Sequence, residues 1–232
     1  LMIKFIENVF NRIKTRASIN IDIFFYGIKI DIGQDASIRT AMRYLLNKFK
    51  KKPISVLEIG TYYGASAKVI LKTLNVKKYI VVDPFIAYQN YKSDAANKLM
   101  IRGDEMFKKT KKELEPLCNN LLFLRGFSNN KKYLKKIKKN SLDLIFVDGN
   151  HEYDYVLEDL RNYFPKLKKG GILIGDDFNS RSKKNDFLNK MSTKKKSKGV
   201  YEAAVDYSKE KKISFSTYGN QGGYPKLFLF EK

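Results

Sequence analysis

The chain has one cysteine, one histidine and no tryptophan in 232 residues, with only five prolines. A lone thiol, Cys118, excludes an internal disulfide and a thiolate zinc cluster, and it points to a reducing compartment. No apolar run approaches the roughly 18 residues that a membrane-crossing helix requires. Leu1 to Ile13 mixes Lys4, Glu7, Asn8, Asn11 and Arg12 into its apolar positions, unlike the core of a secretory signal. The expectation is a soluble, cytoplasmic protein. Acidic residues are scarce beside basic ones, 24 against 46, which gives a formal charge of +22. Such a charge would suit phosphate polymers, acidic glycans or anionic membranes. The lysines, however, are spread over runs at 50–52, 108–112, 131–139, 166–169 and 194–198, a distribution that fits solvated helix faces better than one binding groove.

What is present is an alternation of short apolar runs with longer segments of helical period from residue 55 onward, the pattern of βαβ units and a mostly parallel sheet. Strands are expected at Ser55 to Ile59, Tyr79 to Val82, Leu121 to Leu124, Leu142 to Val147, Gly171 to Gly175, Ile213 to Tyr218 and Lys226 to Phe230. The last two flank a glycine-rich turn at Gly219 to Gly223 and read as an antiparallel hairpin. Helical spacing is expected over Ala65 to Leu74, Tyr153 to Phe164 and Val200 to Tyr207, with Val156, Leu160 and Phe164 as one core stripe. Residues 1–52 form an N-terminal extension ahead of a domain over 53–232. The extension holds helices at Ile3 to Ile13 and Ser37 to Phe49 around a hairpin centred on Phe24-Phe25-Tyr26-Gly27. That hairpin would cover the active site, pair with a second subunit in a homo-oligomer, or pack as a flap on the core. The Lys/Ser/Asn-rich stretch Asn179 to Lys198 follows the fifth strand, where an open α/β sheet would carry a substrate lid.

Ligands of open α/β sheets bind outside the carboxyl ends of the strands. The first strand ends in Glu58-Ile59-Gly60-Thr61-Tyr62-Tyr63-Gly64, a turn whose glycines let the backbone approach a ligand and whose helix N–H groups face an anion. It lacks the Gly-x-Gly-x-x-Gly phosphate fingerprint of dinucleotide enzymes. The second strand ends in Val82-Asp83-Pro84, which puts a carboxylate where it would accept bonds from ribose hydroxyls. Through these residues and Leu144-Ile145-Phe146-Val147-Asp148-Gly149, the chain resembles the class I S-adenosylmethionine-dependent methyltransferases over residues 55–232. The run Asp148-Gly149-Asn150-His151-Glu152-Tyr153, followed by Gly170-Gly171-Ile172-Leu173-Ile174-Gly175-Asp176-Asp177, is similar to the metal-dependent small-molecule and sugar O-methyltransferases.

The resemblance implies a Rossmann-like α/β fold: a seven-stranded, mostly parallel sheet with an antiparallel last strand and helices on both faces. It also implies that Gly60 and Gly64 bound the methionine part of S-adenosylmethionine, with Thr61, Tyr62, Tyr63 and Ser66 in the same turn. Glu58 would order that loop, Asp83 with Pro84 would hold the ribose, and Gly126-Phe127-Ser128 would flank the adenine.

Three carboxylates, Asp148, Asp176 and Asp177, end the fourth and fifth strands. Converging acids repel one another unless a proton or hard cation sits between them, so the expectation is a Mg²⁺ site, with Ca²⁺ or Mn²⁺ as substitutes. Asn179 would add a ligand. His151, the one histidine, follows the fourth strand and would take the proton from an acceptor hydroxyl, with Asp148 serving cofactor, catalysis and metal together. A sugar, glycan or other polyhydroxylated small molecule is the expected acceptor. An RNA or cap methyltransferase is the alternative motivated by charge, although nucleic acid is not favoured because no RNA-binding module is recognisable. A basic nucleoside-binding scaffold without turnover is the third reading.

Overall fold

The computed structural model describes residues 37–86, 103–178, 199–219 and 226–232. The expected helix at Ile3 to Ile13, the hairpin around Phe24, the stretch Asn179 to Lys198 and most of the glycine-rich turn after Gly219 lie outside the described residues.

Seven strands, β1 (Ile54–Ile59), β2 (Val76–Val82), β3 (Leu121–Leu124), β4 (Leu142–Val147), β5 (Leu167–Gly175), β6 (Ser216–Tyr218) and β7 (Leu227–Glu231), form one sheet in the order β3-β2-β1-β4-β5-β7-β6. The first five run parallel, while β7 is antiparallel to both β5 and β6. The parallel strands are those expected from the alternation of apolar runs, and the seven-stranded Rossmann-like sheet with its antiparallel last strand is the one the resemblance implied. The chain leaves β1 towards β2 and β3 on one side and returns to β4 on the other. The switch point between β1 and β4, where ligands of open α/β sheets bind, therefore lies at the carboxyl edge of the central strands.

Six helices are described: α1 (Met42–Phe49, preceded by a 3-10 turn over Ser37–Ala41), α2 (Ala65–Thr73), α3 (Gly103–Leu114), α4 (Lys131–Lys136), α5 (Tyr153–Tyr163) and α6 (Val200–Lys211). Successive strand residues point to opposite faces. Val56, Val81, Phe146 and Leu229 thus join a core with Ile38, Leu45, Ile70, Met106 and Leu114. Their neighbours Leu57, Ile80, Val147 and Phe228 join a second core with Leu160, Tyr163, Ala203 and Tyr207. Cover on both faces is why the central strands read as nearly continuous apolar runs. The described part of the extension packs into the first core, where Ile38, Ala41 and Leu45 have no exposed surface. No helix among the described residues is long and apolar enough to cross a membrane.

Two differences from expectation have local causes. Helices α3 and α4 sit under lysine runs that hide their pattern; in α3 the buried residues are Met106, Thr110 and Leu114, one stripe at a spacing of four. Strand β5 begins at Leu167, not at Gly171, because Leu167 pairs with Leu142 before an irregularity carrying the left-handed Gly170.

Candidate active site

Each residue that ends a central strand is held one step past the strand by a backbone bond to its neighbour. The Gly60 N–H donates to the Val82 carbonyl (3.0 Å), Asp148 to Ile59 (2.8 Å), Asp176 to Val147 (3.0 Å), Asp83 to Leu124 (3.3 Å) and Gly126 to Asp83 (3.1 Å). The ladder thus continues beyond the strands and sets Gly60, Asp83, Gly126, Asp148 and Asp176 along one edge.

The turn after β1 is shaped by its glycines and by Asp83. Gly60, Tyr62 and Gly64 all have positive φ. Asp83 Oδ2 accepts from the N–H groups of Thr61 (2.7 Å) and Tyr62 (2.9 Å), and Oδ1 from that of Phe85 (2.7 Å). The carboxylate is 2% exposed. Burial raises its pKa, against the pull of these three backbone donors. Asp83 therefore folds the Gly60–Gly64 turn back onto β2, a role that its expected place beside the ribose did not reveal. From the other side Thr110 of α3 donates its hydroxyl to the Tyr62 carbonyl (2.9 Å).

Glu58 lies beneath this turn without exposed surface. Its Oε2 accepts from the hydroxyls of Thr61 (2.7 Å) and Tyr79 (3.0 Å), while Oε1 is buried with no hydrogen-bond partner. Burial pushes Glu58 up to about 8, the charges of Asp148 and Asp83 add to the rise, and the two hydroxyls oppose it. An unpartnered buried oxygen is costly, and the ammonium of an amino-acid ligand is the kind of donor it lacks. A native pKa above the ordinary 4.5 means that the folded chain holds a proton which the unfolded chain releases. The stability this contributes is complete below about 4.5 and is lost as pH rises through about 8. Glu58→Gln should therefore flatten the fall in melting temperature across that interval; parallel melting curves for the two proteins would contradict the assignment.

The Gly126–Ser128 loop is pinned from below. Tyr163 donates its hydroxyl to the Ser128 carbonyl (2.7 Å), and buried Asp159 hydrogen-bonds the Ser128 side chain. Tyr133 closes on Gly126, leaving a Cβ there 2.8 Å from its hydroxyl. Thr61 and Ser66 are buried, whereas Tyr63 and Phe127 present exposed rings at this edge.

At the other half of the edge stand the expected acids and His151. His151 bridges two of them, with Nε2 3.3 Å from Asp148 Oδ1 and Nδ1 3.1 Å from Asp177 Oδ2. Burial disfavours the imidazolium, but the hydrogen bonds and charges of Asp148 and Asp177 outweigh it and hold the ring well above the ordinary histidine pKa. The His151 bond in turn holds Asp177 down to about 2, with Lys226 assisting against burial. Asp176 behaves oppositely: burial, reinforced by the charge of Asp148, pushes it up to about 7. Its Oδ2 accepts from the Ser37 hydroxyl (2.5 Å) and its Oδ1 from the Asp177 N–H (2.7 Å). Lys226 Nζ lies 3.5 Å from Asp177 Oδ1 and 3.9 Å from Asp176 Oδ1.

The three acids were expected to converge on a hard cation. Instead their repulsion is relieved by two protein cations, and both oxygens of Asp176 and of Asp177 already face protein donors. Among the described residues no group of three or more His, Cys, Asp and Glu side chains is arranged to hold a metal ion. The described donor set thus does not fit a divalent ion, and Asn179 lies outside the described residues. Ser37, Thr110, Asp159, Tyr163 and Lys226 went unnoticed in the sequence. Ser37, Asp159, Tyr163 and Lys226 left a trace there only as residues of expected helices and strands.

Comparison with known proteins places this geometry. An uncharacterized protein of Acanthamoeba polyphaga mimivirus is 27% identical over 137 residues, 58% of this chain and 56% of that one, so the match spans about half the length of the relative. The solved O-methyltransferase of Bacillus cereus, in complex with S-adenosylhomocysteine, is 14% identical with a TM-score of 0.52, covering 94% of this chain and 91% of that one. MycE, a methyltransferase of the mycinamycin biosynthetic pathway solved with magnesium, S-adenosylhomocysteine and mycinamycin VI, is 13% identical with a TM-score of 0.50, covering 84% of this chain and 49% of that one. Both structures share the fold. The family model described as a methyltransferase domain matches residues 57–178, which run from the buried acid of β1 to the acid pair after β5. The chain belongs to that methyltransferase-domain family.

Proposed function

We propose that the chain methylates a hydroxyl of a small polyhydroxylated acceptor, a sugar, glycan or natural product. The observation that carries this reading is His151, held between Asp148 and Asp177 on the same edge as the Gly60 turn. Bound S-adenosylmethionine supplies a methyl group on a positively charged sulfur, an electrophile that needs a nucleophilic oxygen held in line. The turn Gly60–Gly64 with Ser66 would hold its amino-acid part, Glu58 would face its ammonium, Asp83 and Pro84 would border the ribose, and Gly126 to Ser128 the adenine.

As an imidazolium, His151 donates to both acids; as a neutral ring it donates to only one. The longer bond, to Asp148, is the one that opens. Asp177 then keeps Nδ1 protonated and oriented, and Nε2 is left to accept the proton of the acceptor hydroxyl beside Asp148. Magnesium in MycE supports a second reading, in which a divalent ion acidifies that hydroxyl. The described donors do not favour it here.

A methyl-transfer screen over sugar nucleotides, glycans, catechols and capped RNA, each with Mg²⁺ and with chelator, tests the proposal. Methylation of a sugar or another polyhydroxylated small acceptor is expected. Transfer confined to capped RNA would replace the acceptor class, and the absence of saturable S-adenosylmethionine uptake would remove the activity altogether.

A further inference from the structure

Lys226 has no place in the chemistry derived so far, yet its position is built with care. Its N–H donates to the Tyr218 carbonyl (3.0 Å) of β6, and its carbonyl accepts from the Phe178 N–H (2.9 Å) just after β5. The residue is thereby clamped where the β6–β7 hairpin meets the acid pair. Its ammonium lies 3.5 Å from Asp177 and 3.9 Å from Asp176, and its side chain is 27% exposed. Attraction between partly buried charges at this range is screened far less than on an open surface.

A hard divalent ion would need several of these same oxygens at about 2.1 Å, with water completing an octahedron. Each of those oxygens already faces a protein donor. Asp176 meets the Ser37 hydroxyl and the Asp177 N–H, and Asp177 meets His151 on one oxygen and Lys226 on the other. An ammonium in contact with two carboxylates also raises the electrostatic cost of bringing in a second cation.

We propose that Lys226 is the resident cation of the Asp176–Asp177 pair, excluding a divalent ion and acting as the positioning residue that fixes Asp177 against His151. The effect on methyl transfer rests on the function proposed above; the exclusion of metal does not. Removing the ammonium should both free the acid pair for a metal and loosen the carboxylate that orients the base.

The test is titration of the full chain with Mn²⁺ alone, in the presence of S-adenosylhomocysteine, followed by electron paramagnetic resonance. Wild type should show only free Mn²⁺ up to about 0.1 mM, above the roughly 10⁻⁷ to 10⁻⁵ M range of sensor-type cation sites. Lys226→Gln should take up one equivalent at least tenfold more tightly, and Lys226→Arg should stay silent like wild type. With an acceptor from the screen, wild-type transfer should be unaffected by chelator. Lys226→Gln should be slowed, and Lys226→Arg should recover most of the rate. Stoichiometric Mn²⁺ uptake by wild type overturns the proposal whatever the variants do, and so does a folded Lys226→Gln protein that gains no site. Calorimetric uptake of S-adenosylhomocysteine, run on every sample, reports folding of the variants. Its absence in wild type would sink the methyltransferase reading while leaving the metal result to be judged separately.

Discussion

His151→Ala should slow methyl transfer by about 10²- to 10⁴-fold, the usual contribution of a positioned acid–base group, and should leave S-adenosylhomocysteine uptake unchanged. The separation follows from geometry. His151 touches Asp148 and Asp177, whereas the cofactor turn is held by Asp83, Glu58 and Thr110. The pH profile carries the sharper signature. Asp148 and Asp177 hold the imidazolium well above the ordinary histidine range, so the base form appears only as pH rises through that elevated value. The rate should therefore climb on the alkaline side of neutrality. Asp177→Asn removes one of the two stabilising charges and should shift the rising limb to lower pH. A limb that stays in place in Asp177→Asn, or full activity in His151→Ala, would assign proton transfer to another group.

Gly60→Ala should abolish measurable cofactor uptake and lower stability by several kcal/mol, seen in calorimetry and in denaturant unfolding. Two costs add. A Cβ at Gly60 would sit 2.1 Å from the Asp148 carbonyl oxygen and 2.6 Å from the Gly149 Cα, backbone that cannot swing aside. Its φ of +79° adds about 1 to 3 kcal/mol of strain for any other residue. Gly64→Ala is the internal control. Its φ of +75° carries similar strain, but the new Cβ would meet only the Thr110 methyl at 3.2 Å and Leu114 at 3.4 Å, side-chain ends that can yield. Equal losses in the two variants would mean that backbone conformation, not the approach to Asp148, governs the turn.

The strands and the two-sided core were legible because burial on both faces leaves nearly continuous apolar runs such as Ile54–Ile59 and Leu142–Val147. The acidic interruptions stood out for the same reason: Glu58 has no exposed surface inside a strand that is otherwise almost wholly apolar. Helices α3 and α4 were not legible, since lysines fill their exposed faces and only a sparse apolar stripe remains. The expected metal site shows the other limit. Three acids could be placed on one edge from strand ends alone, but Ser37 and Lys226 reach them from distant parts of the chain, and no local pattern announces such a partner. Asp83 was placed correctly at the end of β2, yet its bonds to the Thr61 and Tyr62 N–H groups belong to tertiary structure.

The bonds that continue the sheet past its strands use main-chain atoms at both ends. Main-chain contacts survive substitution, so the binding rim can outlast nearly complete turnover of side chains around it. Such contacts are compatible with a fold shared at 14% identity. It also suggests where divergence is cheap: side chains facing the acceptor can be exchanged without disturbing the platform beneath them, making this rim a tolerant base on which to redesign selectivity.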